Sequence, residues 1–150
     1  MTSVDNCPLC VDAGNDVLWR GSRLRVVKVD GTPYPGYTRV IWRDHASEMT
    51  DLSAGERDEL MSVVWQVEQA QRHVLQADKI NIAQFGNMVP HLHWHVIPRW
   101  ADDSHFPEAI WAPAPVRSPQ AQEVWLARRS CLEALLPHYH AELMAALLHH

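Results

Sequence analysis

His91-Leu92-His93-Trp94-His95-Val96-Ile97 limits what this chain can fold into more than any other stretch. Histidine alternates strictly with an apolar residue, the period-two pattern of a half-buried strand. The pattern predicts three imidazoles on one face, with Leu92, Trp94 and Val96 packed into a core on the other. At a rise of ~3.3 Å per residue, neighbouring imidazoles on one face recur every ~6.6 to 7 Å. Three side chains that exchange protons near neutral pH are poor packing material, and their grouping points to chemistry or metal binding.

The flanking sequence supplies a sheet for such a strand. Asp16 to Arg20, Leu24 to Val29, Thr38 to Trp42 and Lys79 to Phe85 read as further strands, and His91 to Pro98 as the histidine strand, entered through Pro90. Asp30-Gly31-Thr32-Pro33-Tyr34-Pro35-Gly36 is dense in turn formers. Ser53-Ala54-Gly55-Glu56 is a capping box that opens a helix over about 54–76, with Leu60, Val63, Val64, Val67, Ala70 and Val74 as its apolar stripe. The prediction is an α+β fold: an antiparallel sheet of about five strands with one long helix, plus C-terminal helices. Residues 101–119 hold four of the ten prolines together with Trp111 and His105, and read as a surface loop that could cover a pocket. Ser118-Pro119 starts a helix predicted to run to about Leu136, where Pro137 breaks or restarts it. With 47% hydrophobic residues the chain is predicted to form one domain over 1–150, a core of about 7–100 and a C-terminal extension of about 101–150.

Composition removes several function classes. A net charge of -5 without a Lys/Arg block argues against an extended nucleic-acid surface. No apolar run approaches the ~18 residues of a membrane span, and no secretory signal is visible, so an intracellular, cytoplasmic protein is expected. Three cysteines are too few and odd in number for a secreted disulfide scaffold. Cys7-Pro8-Leu9-Cys10 then reads as a metal knuckle or a redox pair, and the βαβ unit expected of the redox motif does not follow it. Two thiolates need two further ligands to hold zinc.

Gly86-Asn87-Met88-Val89-Pro90-His91-Leu92-His93-Trp94-His95-Val96-Ile97-Pro98-Arg99 closely resembles the signature of the histidine triad (HIT) family, His-φ-His-φ-His-φ-φ with φ apolar. The likeness extends over residues 7 to about 100. It implies a nucleotidyl hydrolase or transferase in which the middle histidine, His93, attacks the α-phosphorus of a nucleoside monophosphate conjugate, AMP by preference, to give a nucleotidyl-histidine. His95 would contact the phosphoryl oxygens or protonate the leaving group. Asn87, Met88 and Val89 in the loop, and Asn81 on the neighbouring strand, would face the phosphate, and Asp30 would accept the ribose hydroxyls. Arg99 reads either as a phosphate clamp or as an ordinary surface charge. The resemblance also implies a structural zinc held by Cys7, Cys10, His45 and His91, a small nucleotide substrate, no organic cofactor and a homodimer. The chain departs from the family pattern twice. Tyr37 follows Gly36 where many members have histidine, so that Tyr37 would hydrogen-bond in its place, and Met88 stands where a serine or threonine is common.

Two other readings compete. Tyr37 and Met88 fit a nucleotide-binding or regulatory protein with negligible turnover. A catalytic zinc on the triad itself is disfavoured, because His91 and His95 would lie ~13 Å apart along an extended strand and cannot meet at bonds of ~2 Å.

Overall fold

The computed structural model of the chain describes residues 6–11, 14 and 16–150. Among these residues five strands form one antiparallel sheet: β1 (Val17–Arg20), β2 (Leu24–Lys28), β3 (Thr38–Trp42), β4 (Lys79–Ala83) and β5 (His93–Arg99). Their order is β1-β2-β3-β5-β4, which sets the histidine strand between two neighbours. Helix α1 (Ala54–Leu75) connects β3 to β4, and helix α2 (Pro119–Leu147) follows β5. The α+β architecture is the one predicted from the sequence.

Register explains the division of the sheet into a core face and an open face. Val26, Val40 and Trp94 align across β2, β3 and β5, and with Leu24, Trp42 and Val96 they pack against α1. The alternate positions, Val27, Arg39 and His95, align in the same way one residue on and must point to the opposite face. Helix α1 starts as predicted: the Ser53 amide donates to Glu56 Oε2 at 2.8 Å, and the Glu56 amide returns to Ser53 Oγ at 3.3 Å. Its predicted stripe is buried, joined by Gln71, whose Nε2 donates to the carbonyls of Gly36 and Val96 at 2.9 Å each. Gly36 has φ +82°, and a Cβ there would stand 2.3 Å from Leu75 Cδ1, so the close approach of this turn to α1 needs glycine.

Three local features differ from the sequence reading. First, α2 is one unbroken helix where two were predicted around Pro137. Proline cannot donate to the carbonyl of Glu133, a loss usually costing ~3 kcal/mol. The helix is held across it by Trp125, Leu132, Tyr139, Leu143 and Leu147, all buried in the core at seven- and four-residue intervals. The Tyr139 hydroxyl also donates to Thr38 Oγ1 at 2.7 Å, tying the helix to β3 beyond the proline. Second, Cys131 on α2 is exposed, although a lone cysteine on a helix ordinarily reads as a small buried side chain. Third, β5 begins at His93 rather than His91. The His91 amide donates to Val89 at 2.8 Å and the Leu92 amide to Ala46 at 2.7 Å, so the chain bends just before the ladder. Only His93 and His95 share a strand face.

Candidate active site and metal centre

The bend divides the three histidines between two environments. His91 is fully buried and turns to the N-terminal cysteines. Its Nδ1 lies 3.4 Å from Cys7 Sγ and 3.5 Å from Cys10 Sγ, and His45 Nδ1 lies 3.3 Å from Cys10 Sγ. The four donor atoms are all within 4.8 Å of one another. With bonds of ~2.3 Å to sulfur and ~2.0 Å to nitrogen, a tetrahedral zinc site separates sulfur from nitrogen by roughly 3.5 Å, so this Cys2His2 set fits the metal implied by its sequence. The hydrogen bonding behind the ligands fits as well. His91 Nε2–H donates to the Trp42 carbonyl at 2.6 Å, which leaves the Nδ1 lone pair facing the sulfurs. Burial holds His91 below the usual imidazole range, against that hydrogen bond, so the ring is an unprotonated ligand at neutral pH. The cluster joins the N-terminal segment, the loop after β3 and the approach to β5.

His93 and His95 face the other way, onto the open side of the sheet. They line a cavity of about 490 Å³ whose walls include Leu9, Phe85, Trp111 and the loop residues Asn87, Met88 and Val89. That volume suits a small-molecule site. The two rings stand 5.0 Å apart, centroid to centroid, edge to face. His93 Nδ1–H donates to the His91 carbonyl at 2.6 Å, and the unshared pair is therefore on Nε2, the opposite edge of a ring that lines the cavity. His95 has the reverse arrangement. The Tyr37 hydroxyl lies 2.5 Å from His95 Nδ1. Burial pushes the Tyr37 phenol up, so it keeps its proton and donates, and His95 presents Nε2–H. Burial, then the positive charge of Arg39, then His93, push the His95 imidazole down to about 4. His95 is neutral at pH 7, and in the resting site it is a hydrogen-bond donor rather than an acid.

The remaining sequence candidates divide. Asn87, Met88 and Val89 line the cavity, Met88 at 95% exposure. Asp30 lies outside it, paired with Lys28 at 2.7 Å, in a cleft of about 270 Å³ that shares Leu9 and Arg39 with the cavity. Arg99 and Asn81 are not brought to the histidines. The buried Arg99 guanidinium makes a two-pronged pair with Asp103 at 2.8 and 3.0 Å and donates to Asn81 Oδ1 and the Glu108 carbonyl at 2.8 Å each. A guanidinium so fully engaged has little to offer a phosphate, and Asn81 is spent on it. Asp103 also accepts from the Trp100, His105 and Phe106 amides, so this knot folds the proline-rich loop that carries Trp111 to the cavity rim. His105 belongs to the same knot through the Tyr34 hydroxyl and does not line the cavity. Sequence reasoning missed Leu9, Phe85 and Arg39. Only Arg39 carried a signal, the lone charge in the otherwise uncharged strand Thr38-Arg39-Val40-Ile41-Trp42.

Residues 17–102 match the HIT domain. The chain belongs to the histidine triad family. Among solved structures, a histidine triad protein from Bradyrhizobium japonicum is 28% identical with a TM-score of 0.60, covering 81% of this chain and 91% of that one. A zinc-bound histidine triad family protein from Mycobacterium smegmatis has the same fold at 23% identity, with a TM-score of 0.63 over 95% of this chain and 98% of that one. A curated relative, AP-4-A phosphorylase of Mycobacterium tuberculosis, is 32% identical over 81 residues, 49% of this chain and 42% of the relative. The histidine triad chain thus spans less than half the length of that enzyme. These likenesses support nucleotide-processing activity in general.

Proposed function

We propose that this histidine triad protein is a nucleotide hydrolase or transferase that cleaves a nucleoside monophosphate, AMP by preference, from a leaving group through a nucleotidyl-histidine on His93. The observation that carries the reading is the His93 hydrogen bond to the His91 carbonyl, which commits the ring to one tautomer with its unshared pair on Nε2. The Nε2 pair forms the N–P bond as the bond from phosphorus to the leaving group breaks, and that bond's electrons depart with the leaving group. The modified imidazole is cationic, and its Nδ1–H bond to the carbonyl becomes charge-assisted, stabilising the intermediate. Water then forms a P–O bond, the N–P pair returns to Nε2, and the water proton passes to solvent. Neutral His95 donates Nε2–H to a nonbridging oxygen, where negative charge builds, and amides of the Gly86–Val89 loop do the same. Asp30 reaches the ribose from the adjoining cleft once its pair with Lys28 opens.

The metal reading follows the donor set. Cys7, Cys10, His45 and His91 would hold zinc, whose role with four protein ligands is to cross-link chain segments. The zinc-bound neighbour supports this choice of metal. The reading includes the homodimer implied by the family resemblance, to be checked by sedimentation.

Incubation with a radiolabelled adenylyl conjugate and an alkaline quench tests the chemistry. The expected result is label retained on the wild type and absent from His93→Ala. Tight nucleotide binding with neither adduct nor released monophosphate would leave a binding protein instead.

A further inference from the structure

Arg39 is the one fully charged side chain among the residues lining the cavity, and that lining contains no carboxylate. It sits on β3 in register with His95, and the strand pleat turns it to the same face. Several other arginines are matched to carboxylates: Arg99 to Asp103, Arg129 to Glu133, Arg128 to Asp102 and Arg23 to Glu56 and Glu59. Among the described residues no acidic group pairs with Arg39, and its Nε is buried with no hydrogen-bond partner. Its guanidinium carbon stands 5.6 Å from the centre of the Tyr37 ring, so an aromatic face partly shelters the charge. A sheltered cation with an unused donor is costly to maintain, and an anion arriving in the cavity satisfies both demands.

We propose that Arg39 contacts the leaving group and selects nucleotide conjugates whose leaving group is a phosphate chain over those whose leaving group is an amine. The inference rests on the hydrolase reading above and adds the class of leaving group to it. A phosphate chain offers paired oxygens to the planar fork of a guanidinium. When the P–O bond to the chain breaks, its electron pair stays on the departing oxygen, so negative charge grows within reach of Arg39. An amine departs by the opposite charge balance: the P–N bond breaks and the nitrogen takes up a solvent proton, or holds one already, next to a fixed cation. Phe85 and Trp111, half exposed and 4.9 Å apart in an edge-to-face pair, give a flat ring at the end of such a chain a surface on which to rest.

The test compares kcat/KM for diadenosine tetraphosphate with kcat/KM for adenosine 5'-phosphoramidate in the wild type, Arg39→Gln and Arg39→Lys. The wild type is expected to favour the tetraphosphate, and Arg39→Gln to reduce that preference roughly 10- to 100-fold, the range of one charge-assisted hydrogen bond. Arg39→Lys should keep most of the preference, and it provides the comparison if melting shows Arg39→Gln to be unstable. An unchanged ratio, including equal losses on both substrates, overturns the proposal. A second arm measures binding of α,β-methylene ADP against AMP by calorimetry. Tighter binding of the diphosphate analogue that is lost in Arg39→Gln supports the contact, and equal binding overturns it. If neither substrate turns over, the hydrolase reading fails, while the calorimetric arm still decides whether Arg39 holds a phosphate chain.

Discussion

One short run of histidines serves two corners of the molecule, and the corners differ in where their donors point. Around His91, four donor atoms converge on one another, and a backbone carbonyl fixes the ring. Around His93 and His95, each ring has one nitrogen engaged by the protein, leaving Nε2 of each for the cavity they line. Convergence leaves no coordination position open and suits a structural role, whereas divergence leaves reactive atoms for a ligand. What separates the roles is a bend of the backbone before β5, since residue type is the same in both corners.

The comparison breaks most sharply at His93. His93→Ala should lower kcat by at least ~10⁴-fold, as loss of a covalent nucleophile does, with metal content unchanged and only ~1 kcal/mol of stability lost with its buried hydrogen bond to the His91 carbonyl. Residual turnover within tenfold of the wild type would move the chemistry elsewhere. The converse prediction concerns the closed corner. His91→Ala or Cys7→Ser should lose bound zinc and on the order of 3 kcal/mol or more of stability, because the N-terminal segment and the bend are no longer tied. Metal analysis and chemical denaturation check both. A variant that loses metal and turnover while melting like the wild type would make the metal catalytic and erase the contrast.

The pocket has a pH signature of its own. A folded-state pKa of about 4 against 6.5 for the free imidazole means that, between these values, the unfolded chain binds a proton that folded His95 does not. Stability from this group is complete above pH ~6.5 and is lost as pH falls through 4, a difference of ~3 kcal/mol. Denaturation of the wild type and His95→Gln at a series of pH values isolates it, because His91 is common to both. Arg39→Gln removes a positive charge that opposes protonation, so it should raise the His95 titration seen by NMR. A downward movement would contradict the assigned cause.

The sequence revealed periodicities and local signatures, and the structure added what depends on three-dimensional neighbours. The capping box, the stripe of α1, the alternation of apolar and polar positions along the strands and the histidine strand were legible, because period two and period 3.6 are written directly in the chain. The bend at His91 was not legible. Its alternation with Leu92 and His93 continues the strand pattern, and only the hydrogen bonds to Val89 and Ala46 interrupt it. Pro137 was misleading for a related reason, since a local breaking signal was outweighed by long-range burial of Tyr139 and Leu143. Arg99 and Arg39 show the same limit in charge. Both are arginines on neighbouring strands, yet Asp103 neutralises one from four residues away, while no carboxylate pairs with the other among the described residues.

The smallest predicted effect probes the asymmetry between the two pocket histidines. In Tyr37→Phe the donor to His95 Nδ1 disappears, and nothing commits the ring to the Nε2–H tautomer. His95 then divides between tautomers, and the fraction with the proton on Nδ1 offers the phosphate a lone pair instead of a donor. The expected outcome is a roughly 3- to 10-fold lower kcat with KM little changed, and a loss of ~1 kcal/mol of stability from one buried hydrogen bond. Nitrogen-15 shifts read the cause directly. In the wild type His95 should carry its proton on Nε2 and His93 on Nδ1, and Tyr37→Phe should mix the His95 signals while leaving those of His93, held by the His91 carbonyl, unaltered. Should both rings change together, the two tautomers are coupled through the 5.0 Å ring contact, and the pocket acts as a single unit rather than as two independently held groups.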